Sequence, residues 1–355
     1  MSDFGDAISA AIAQLMERPG SRDNLQRATR DLLEKLSARC VLKAPIALEE
    51  LRHSHDEFMK RNESRWYEGF EALETLTAVC VEAGSSFQQE FLAHVELQND
   101  ILLGVLMRIH ARSCRTAREI TALMRNGYAD AALARWRTLH ELAVTAQALS
   151  KLGRPAAMDY LAASNVKALE GMREYQQSAS WMGMEPYTDA EMVRAELRVD
   201  RMLAAQGRTA GDYGGNFGWA RPYVHSGHFD KLQQFVDMDH WNHEDKWASQ
   251  DVHAGHRASR APLAMSEASQ ALLLVGASDS GMTEPGDRTA ISLSQVTTTF
   301  LGTYVEDDVS PLNCSIPVFW ITLIEQLLHR VGPAFLQGEK PDRMRRSQVR
   351  QGSDG

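Results

Sequence analysis

The chain has 355 residues, which is enough to bury a large core and allows two or three domains. Its net charge of -9 argues against a protein that coats nucleic acid through charge alone, although a local basic groove remains open. No apolar run reaches membrane-spanning length, and the first residues are acidic where a signal peptide would be basic. The cysteines lack paired spacing, which favours reduced thiols and a cytoplasmic protein over a disulfide framework: Cys40, Cys80, Cys114 and Cys314.

The beginning of the chain predicts a helical arm. Residues 3–16, 21–36 and 48–83 have apolar positions at helical spacing, and Gly84-Ser85-Ser86 is typical of a helix break. We therefore predict an N-terminal helical arm or subdomain over residues 1–84 and a helical core domain over residues 85–336. Residues 337–355 contain the basic run KPDRMRRSQVR and are expected to form a disordered tail.

The strongest helical patterns follow residue 87. The first ends at Asn126-Gly127 and carries a basic edge, which we interpret as a solvated face, with attraction of a phosphate as the functional alternative: Arg108, Arg112, Arg115 and Arg118. The next helix, over residues 128–150, places Arg137 and Glu141 at i, i+4 beside an apolar stripe. This spacing predicts either a simple salt bridge or a partly buried pair that faces a site.

The remaining patterns are also helical. We expect further helices near residues 156–181, 188–205, 229–235, 241–256, 263–275, 291–304 and 318–331. A glycine-rich connector separates two of them at residues 207–218, and a turn-rich loop spans residues 276–289. Because no strand pair and no internal repeat is evident, the predicted fold is an all-α, multi-helix bundle.

The segment Trp241–His256 contains the main candidate site. Lys246, Ser249 and His253 are spaced by three and four residues, so they share one face of a helix. Histidine titrates near neutral pH and can act as a general acid or base, serine can orient it, and lysine can neutralise an anion. The structural alternative is that these side chains only satisfy hydrogen bonds or remain solvated.

Three His-x-x-His pairs lie in the same part of the chain, at residues 225 and 228, 240 and 243, and 253 and 256. Two histidines at this spacing on a helix can share a zinc or iron ion. However, the more diagnostic His-Glu-x-x-His spacing is absent. We therefore predict no metal and no cofactor at the site.

Four blocks of the sequence occur in a fixed order: AREITALMRNGYADAALARWRTLHELAVTAQAL, GWA, KWASQDVHAG and LLVGASDSGMTEPGDRTAISLSQVT. Together they resemble the bacterial domain-of-unknown-function family 5677, over most of the chain. The resemblance implies a helical cytoplasmic protein without an assigned activity. It also implies that the recurrent polar positions of the family correspond to Arg137, Glu141, Ser249 and His253.

The chain is more distantly similar to the HEPN superfamily of helical proteins. That superfamily includes metal-independent ribonucleases of toxin and phage-defence systems, and its motif is an arginine, four to six residues and a histidine. Lys246 precedes His253 at this distance in place of arginine. Arg221 and His228 match formally, but Pro222 follows the arginine where a polar residue is usual.

Three functions compete. The first is a module that binds a protein partner or a small anionic ligand, with Arg137, Glu141, Ser249 and His253 as a buried network. The second is a ribonuclease in which His253 is the acid or base, while Lys246 or Arg137 stabilises the charged transition state. The third is a metal-dependent hydrolase that uses the paired histidines. The expected partners are an unknown protein or RNA, without a membrane, and a homodimer is an alternative.

Overall fold

The computed structural model describes residues 8–10, 12–13, 16, 22–91, 100–252, 263–268, 273–303 and 311–339. Every regular element in these ranges is an α-helix or a short 3-10 helix, which confirms the predicted all-α class. By its internal contacts, the chain divides into two compact units, Met1–Ser64 and Arg65–Gly355. The predicted domain boundaries after residues 84 and 336 stay predictions, and residues 340–355 of the expected tail lie outside the described residues.

The α-helices of the described ranges are α1 (Arg22–Phe91), α2 (Ile101–Arg125), α3 (Ala129–Ser178), α4 (Asp189–Gln206), α5 (Arg221–Val224), α6 (Phe229–Phe235), α7 (Asn242–Val252), α8 (Thr283–Gly302) and α9 (Pro311–Gln337). Short 3-10 helices lie between several of them. None of these helices combines the length and the apolar content that a bilayer span requires.

The core of the second unit is built around α8. This helix packs against α2, α3 and α9, and α2 and α3 also pack against each other. Fully buried apolar side chains from these helices meet there, among them Leu106, Ile120, Trp136, Leu293 and Phe300. Small polar side chains on α8 allow the neighbouring helices to pack closely. The buried hydroxyl group of Thr297 donates a hydrogen bond to the Leu293 carbonyl at 2.8 Å, so it does not remain unpaired.

The predicted helix break at Gly84 is wrong, because α1 continues through this residue to Phe91. The glycine provides space for a neighbouring helix. A Cβ atom added at Gly84 would lie 2.3 Å from Cε1 of His110, so the imidazole ring of α2 packs directly on the α1 backbone. A glycine placed for close packing and a glycine placed for a turn look the same in a sequence.

Two other boundaries depend on glycine and proline. α3 bends at Gly153, whose φ of 74° is unfavourable for other residues, so the helices expected at 128–150 and 156–181 are joined end to end. α8 begins at Thr283, inside the segment 276–289 that we expected to be a loop. Pro285 is tolerated there because it lies in the first helical turn, where its missing N–H has no intrahelical partner to lose.

The glycine-rich connector between α4 and α5 is fixed to α3 by one buried carboxylate. Asp159 Oδ1 accepts a hydrogen bond from the Tyr213 hydroxyl at 2.5 Å, and Asp159 Oδ2 accepts one from the Tyr223 hydroxyl at 2.7 Å. Arg208 Nη2 lies 3.7 Å from the same carboxylate. These contacts satisfy the hydrogen bonds of the buried carboxyl group and hold the connector against the helix.

Substitution of Gly84 tests the close approach of α1 and α2. We expect Gly84→Ala to lower the free energy of unfolding by about 1–3 kcal/mol, because the new methyl group overlaps with the buried His110 ring. Gly171→Ala in α3 is the matched control, since nothing lies within 4 Å of its added Cβ. It should raise the free energy of unfolding by about 0.5–1 kcal/mol. Urea denaturation measures both changes, and a neutral Gly84→Ala would contradict tight packing at this point.

Candidate functional site

Arg137 forms the centre of an ion-pair network between α3 and α7. Its Nη1 lies 3.1 Å from Glu141 Oε1, so the pair expected from the i, i+4 spacing is present. Its Nε lies 2.9 Å from Asp245 Oδ1 on α7. The side chains of Arg137, Glu141 and Asp245 are 24%, 29% and 13% exposed, so the group is partly buried.

The face of α7 that meets α3 includes an acidic residue that the sequence analysis did not assign to the site. Asp245 and the fully buried Ala248 face α3, whereas Lys246 is exposed and Ser249 is half-buried. Successive helical residues are rotated by about 100°, and this rotation places Lys246 on the exposed side of α7. His253 lies outside the described residues, so its expected proximity to Arg137 stays a prediction.

A second arginine pairs with the carboxylate that precedes Asp245 in the chain. Arg288 of α8 places Nη2 at 2.6 Å from Glu244 Oε2 and Nη1 at 3.3 Å from Glu284 Oε2. Its guanidinium also lies 5.6 Å from the centre of the Trp136 ring. Adjacent residues of α7 therefore bind arginines from two different helices.

These side chains form what we call the α7 ion-pair cluster: Arg137, Glu141, Glu244, Asp245, Glu284 and Arg288. The cluster contains four carboxylates and two guanidinium groups, and burial raises the pKa of both Glu141 and Asp245. Each arginine is already neutralised, so the cluster offers no free positive charge to an anion. The suggested role of Arg137 in stabilising a phosphate transition state therefore has no electrostatic support here.

His140, which the sequence analysis did not single out, lies beside this cluster. Its Nε2 is 2.8 Å from Gln233 Nε2, and its ring stacks on Trp136 with 5.2 Å between centroids. Burial, together with electrostatic interactions with the nearby His240 and Arg137, lowers the pKa of His140 to about 3. It is therefore a neutral core residue at pH 7. The sequence could have indicated that His140 is buried, because it follows Trp136 by four residues and therefore lies on the apolar stripe of α3.

The paired histidines do not assemble a metal site within the described part of the chain. His225 adopts a left-handed conformation with φ of 54°, and His228 precedes α6. Across the residues that the structure describes, no group of three or more His, Cys, Asp and Glu side chains is arranged to hold a metal ion. The pair at 253 and 256 lies outside this range.

A cavity of about 300 Å³ opens between α1, α2 and the end of α8. Its floor includes His110, Cys114 and Phe300; the His110 ring stacks on Phe300 at 5.1 Å, and Cys114 Sγ lies 3.5 Å from His110 Nε2. Burial lowers the pKa of His110 to about 4 and raises the pKa of Cys114 to about 12. Both groups are uncharged at pH 7, so the floor is weakly polar.

The rim of the cavity is basic. Arg115 and Arg118 of α2 line it and are exposed. Arg115 Nε lies 3.0 Å from Glu119 Oε1, whereas Arg118 forms no ion pair with any residue that the structure describes. The basic edge noted in the sequence therefore borders a cavity, and one of its guanidinium groups is available to a ligand.

Neighbouring residues of α7 allow a direct test of the α7 ion-pair cluster. Asp245→Asn should lower the free energy of unfolding by about 1–3 kcal/mol, because Arg137 then remains charged and partly buried without this partner. Lys246→Gln, which changes the exposed neighbour, should alter it by less than about 0.5 kcal/mol. Chemical denaturation at pH 7 measures both, and equal effects would show that the cluster does not hold α7.

The low pKa of His140 predicts a pH dependence of stability. Since the unfolded chain binds this proton near pH 6.5 and the folded chain only near pH 3, stability is lost as the pH falls through this window. Between pH 7 and 4.5 we expect a loss from His140 of about 2–3 kcal/mol. The raised pKa values of Glu141 and Asp245 act in the opposite direction, so the wild type must be compared with His140→Gln. Parallel pH profiles of the two proteins would refute this prediction.

A family model matches residues 103–269, a span that contains nearly all of α2 and the whole of α3 to α7. The matched family is described as a family of unknown function, DUF5677, and assigns no activity. Comparisons with curated proteins and with solved structures gave no match. The similarity to the HEPN superfamily stays a prediction. The match supports the resemblance to DUF5677 over residues 103–269, and the last of the four sequence blocks, at residues 273–297, lies outside it.

Proposed function

We propose that this protein is a binding module for a small anionic molecule that also carries an apolar group. The ligand would occupy the cavity between α1, α2 and α8. The observation that carries the proposal is Arg118, a guanidinium group without a counter-ion among the described residues, at the rim of a cavity with an uncharged floor.

The shape and lining of the cavity support a ligand with an apolar part. Its volume of about 300 Å³ is at the lower end of the range of small-molecule sites, which suits a single aromatic ring or a short aliphatic chain. Val81, Met107 and Phe300 would cover this group, and its transfer from water would supply part of the binding energy. The exposed side chains of Ser85 and Gln88 add neutral hydrogen-bonding groups at the opening.

The charge of the site favours an anion. Among the residues that line the cavity, two are arginines and none is a carboxylate. Arg118 can bind a carboxylate or a phosphate through two parallel hydrogen bonds, and Arg115 adds positive potential although Glu119 partly neutralises it. The α7 ion-pair cluster, by contrast, would repel the same ligand.

The titration behaviour of the floor supports binding over catalysis. Neutral His110 and protonated Cys114 provide neither an imidazolium acid nor a thiolate nucleophile at pH 7. A general base poised near neutral pH would require an imidazole pKa close to its ordinary value. The second hypothesis, a ribonuclease, depends on His253, and the described residues add no observation in its favour.

Calorimetric titration with three probes tests the proposal. We expect phenyl phosphate and phenylacetate to bind more tightly than inorganic phosphate, because only the first two fill the apolar floor. Their relative affinities distinguish a phosphate from a carboxylate site. Arg118→Gln should weaken the binding of both aromatic anions about tenfold or more, since a charge-assisted pair is lost.

Arg108→Gln is the matched control for this experiment. Arg108 is an exposed arginine of the same helix and does not line the cavity, so the variant removes the same charge and should keep the affinity within about twofold. Equal losses in the two variants would indicate only a general electrostatic effect. If no probe binds to the wild type, or if Arg118→Gln binds as well as the wild type, the proposed function is wrong.

A further inference from the structure

The loop that joins α3 to α4 exposes large apolar side chains. We call residues 179–188 the α3–α4 tip. Within it, Trp181 is 90% exposed and Met184 is 54% exposed, and Met182 and Tyr187 are also exposed. Val193 and Leu197, one turn apart at the beginning of α4, continue this apolar surface. Such a concentration of aromatic and methionine side chains is typical of an interaction surface.

The tip is held in a defined conformation despite its exposure. Tyr175 donates a hydrogen bond to the Glu185 carbonyl at 2.9 Å. The Gln176 amide donates to the Tyr187 carbonyl and accepts from the Tyr187 N–H, both at 2.9 Å. Gly183, with φ of 67°, supplies the left-handed turn. A partner would therefore meet a preformed surface and would not have to order it, which favours binding.

The charges around the tip select a basic partner. Residues 174–191 contain no lysine, arginine or histidine, and four carboxylates: Glu174, Glu185, Asp189 and Glu191. All four are exposed. The exposed arginines nearest to this stretch in the sequence are Arg173, which pairs with Glu196, and Arg194 and Arg198 on α4. An anionic membrane surface or a nucleic acid would be repelled by this potential, even though exposed tryptophan is common at membrane interfaces. A basic segment with a few apolar side chains matches both properties of the tip.

The chain itself contains such a segment at residues 340–350, KPDRMRRSQVR, which lies outside the described residues. It has five basic side chains and one carboxylate, Asp342. Met344 and Val349 provide apolar groups. We propose that residues 340–350 bind to the α3–α4 tip, with arginines opposite its carboxylates and an apolar side chain on Trp181. This proposal is independent of the ligand in the cavity.

Competition between the tail and an added peptide tests the proposal. The full chain with Arg343→Gln, Arg345→Gln and Arg346→Gln keeps the tip but loses most of the charge of the tail. We expect a fluorescein-labelled peptide of residues 340–350 to bind this triple variant at least about fivefold more tightly than the wild type, whose own tail occupies the tip. Fluorescence anisotropy measures both affinities, and equal affinities would overturn the proposal.

Substitutions in the tip locate the binding surface. In the triple variant, Trp181→Ala should weaken peptide binding about tenfold, because a central aromatic residue dominates such interfaces. Its melting temperature should not change, since the side chain is almost fully exposed. Phe319→Ala, which removes an exposed aromatic ring from α9, is the control and should leave the affinity unchanged. If the peptide binds Trp181→Ala as well as its parent, the tip is not the site.

Light scattering then identifies which copy supplies the tail. A wild type that is dimeric while the triple variant is monomeric supports exchange of tails between two copies. If the wild type and the triple variant are both monomeric, and the peptide binds the triple variant more tightly than the wild type, the tail binds the tip of its own chain. A wild type and triple variant that are equally dimeric, with equal affinities for the peptide, would contradict the proposed contact in either form.

Discussion

Two adjacent carboxylates on α7 hold arginines from different helices. Glu244 binds Arg288 of α8, and Asp245 binds Arg137 of α3. Because neighbouring residues of a helix point in directions about 100° apart, a small rotation of α7 would break both contacts at once. A short helix with little apolar surface thereby acquires one orientation against the core, at the cost of placing ionised groups in partly buried positions.

The arginines of the α7 ion-pair cluster differ from Arg118 at the cavity. Those in the α7 ion-pair cluster are neutralised, and their charge contributes to the packing of helices. Arg118, at the rim of the cavity between α1, α2 and α8, forms no ion pair with any described residue and keeps its charge. In a protein with a net charge of -9, such a local excess of positive charge would attract an anionic ligand to this cavity.

Contacts between residues that are close in the sequence could be predicted from it, whereas contacts between residues that are far apart in the sequence could not. The Arg137–Glu141 pair is local, and helical spacing predicted it; the interruption near Gly153 is also local, and it falls between the helices predicted at 128–150 and 156–181. The pairing of Arg137 with Asp245 joins helices that are far apart in the chain, and a pattern of spacing favoured the neighbouring Lys246 face. The cavity has no local signature, because three helices contribute to it. Gly84 was misinterpreted since its neighbour, His110, belongs to another helix.

The connector between α4 and α5 combines five glycines with a firm attachment. Asp159 is buried on α3, and its hydrogen-bonding partners, Tyr213 and Tyr223, lie in and just after the connector. Partial opening would leave the buried carboxyl group of Asp159 without donors, which favours detachment of the segment in one cooperative step. The composition of this stretch suggests easy cleavage by proteases, but we expect cleavage to require opening of the contacts of Asp159 with both Tyr213 and Tyr223.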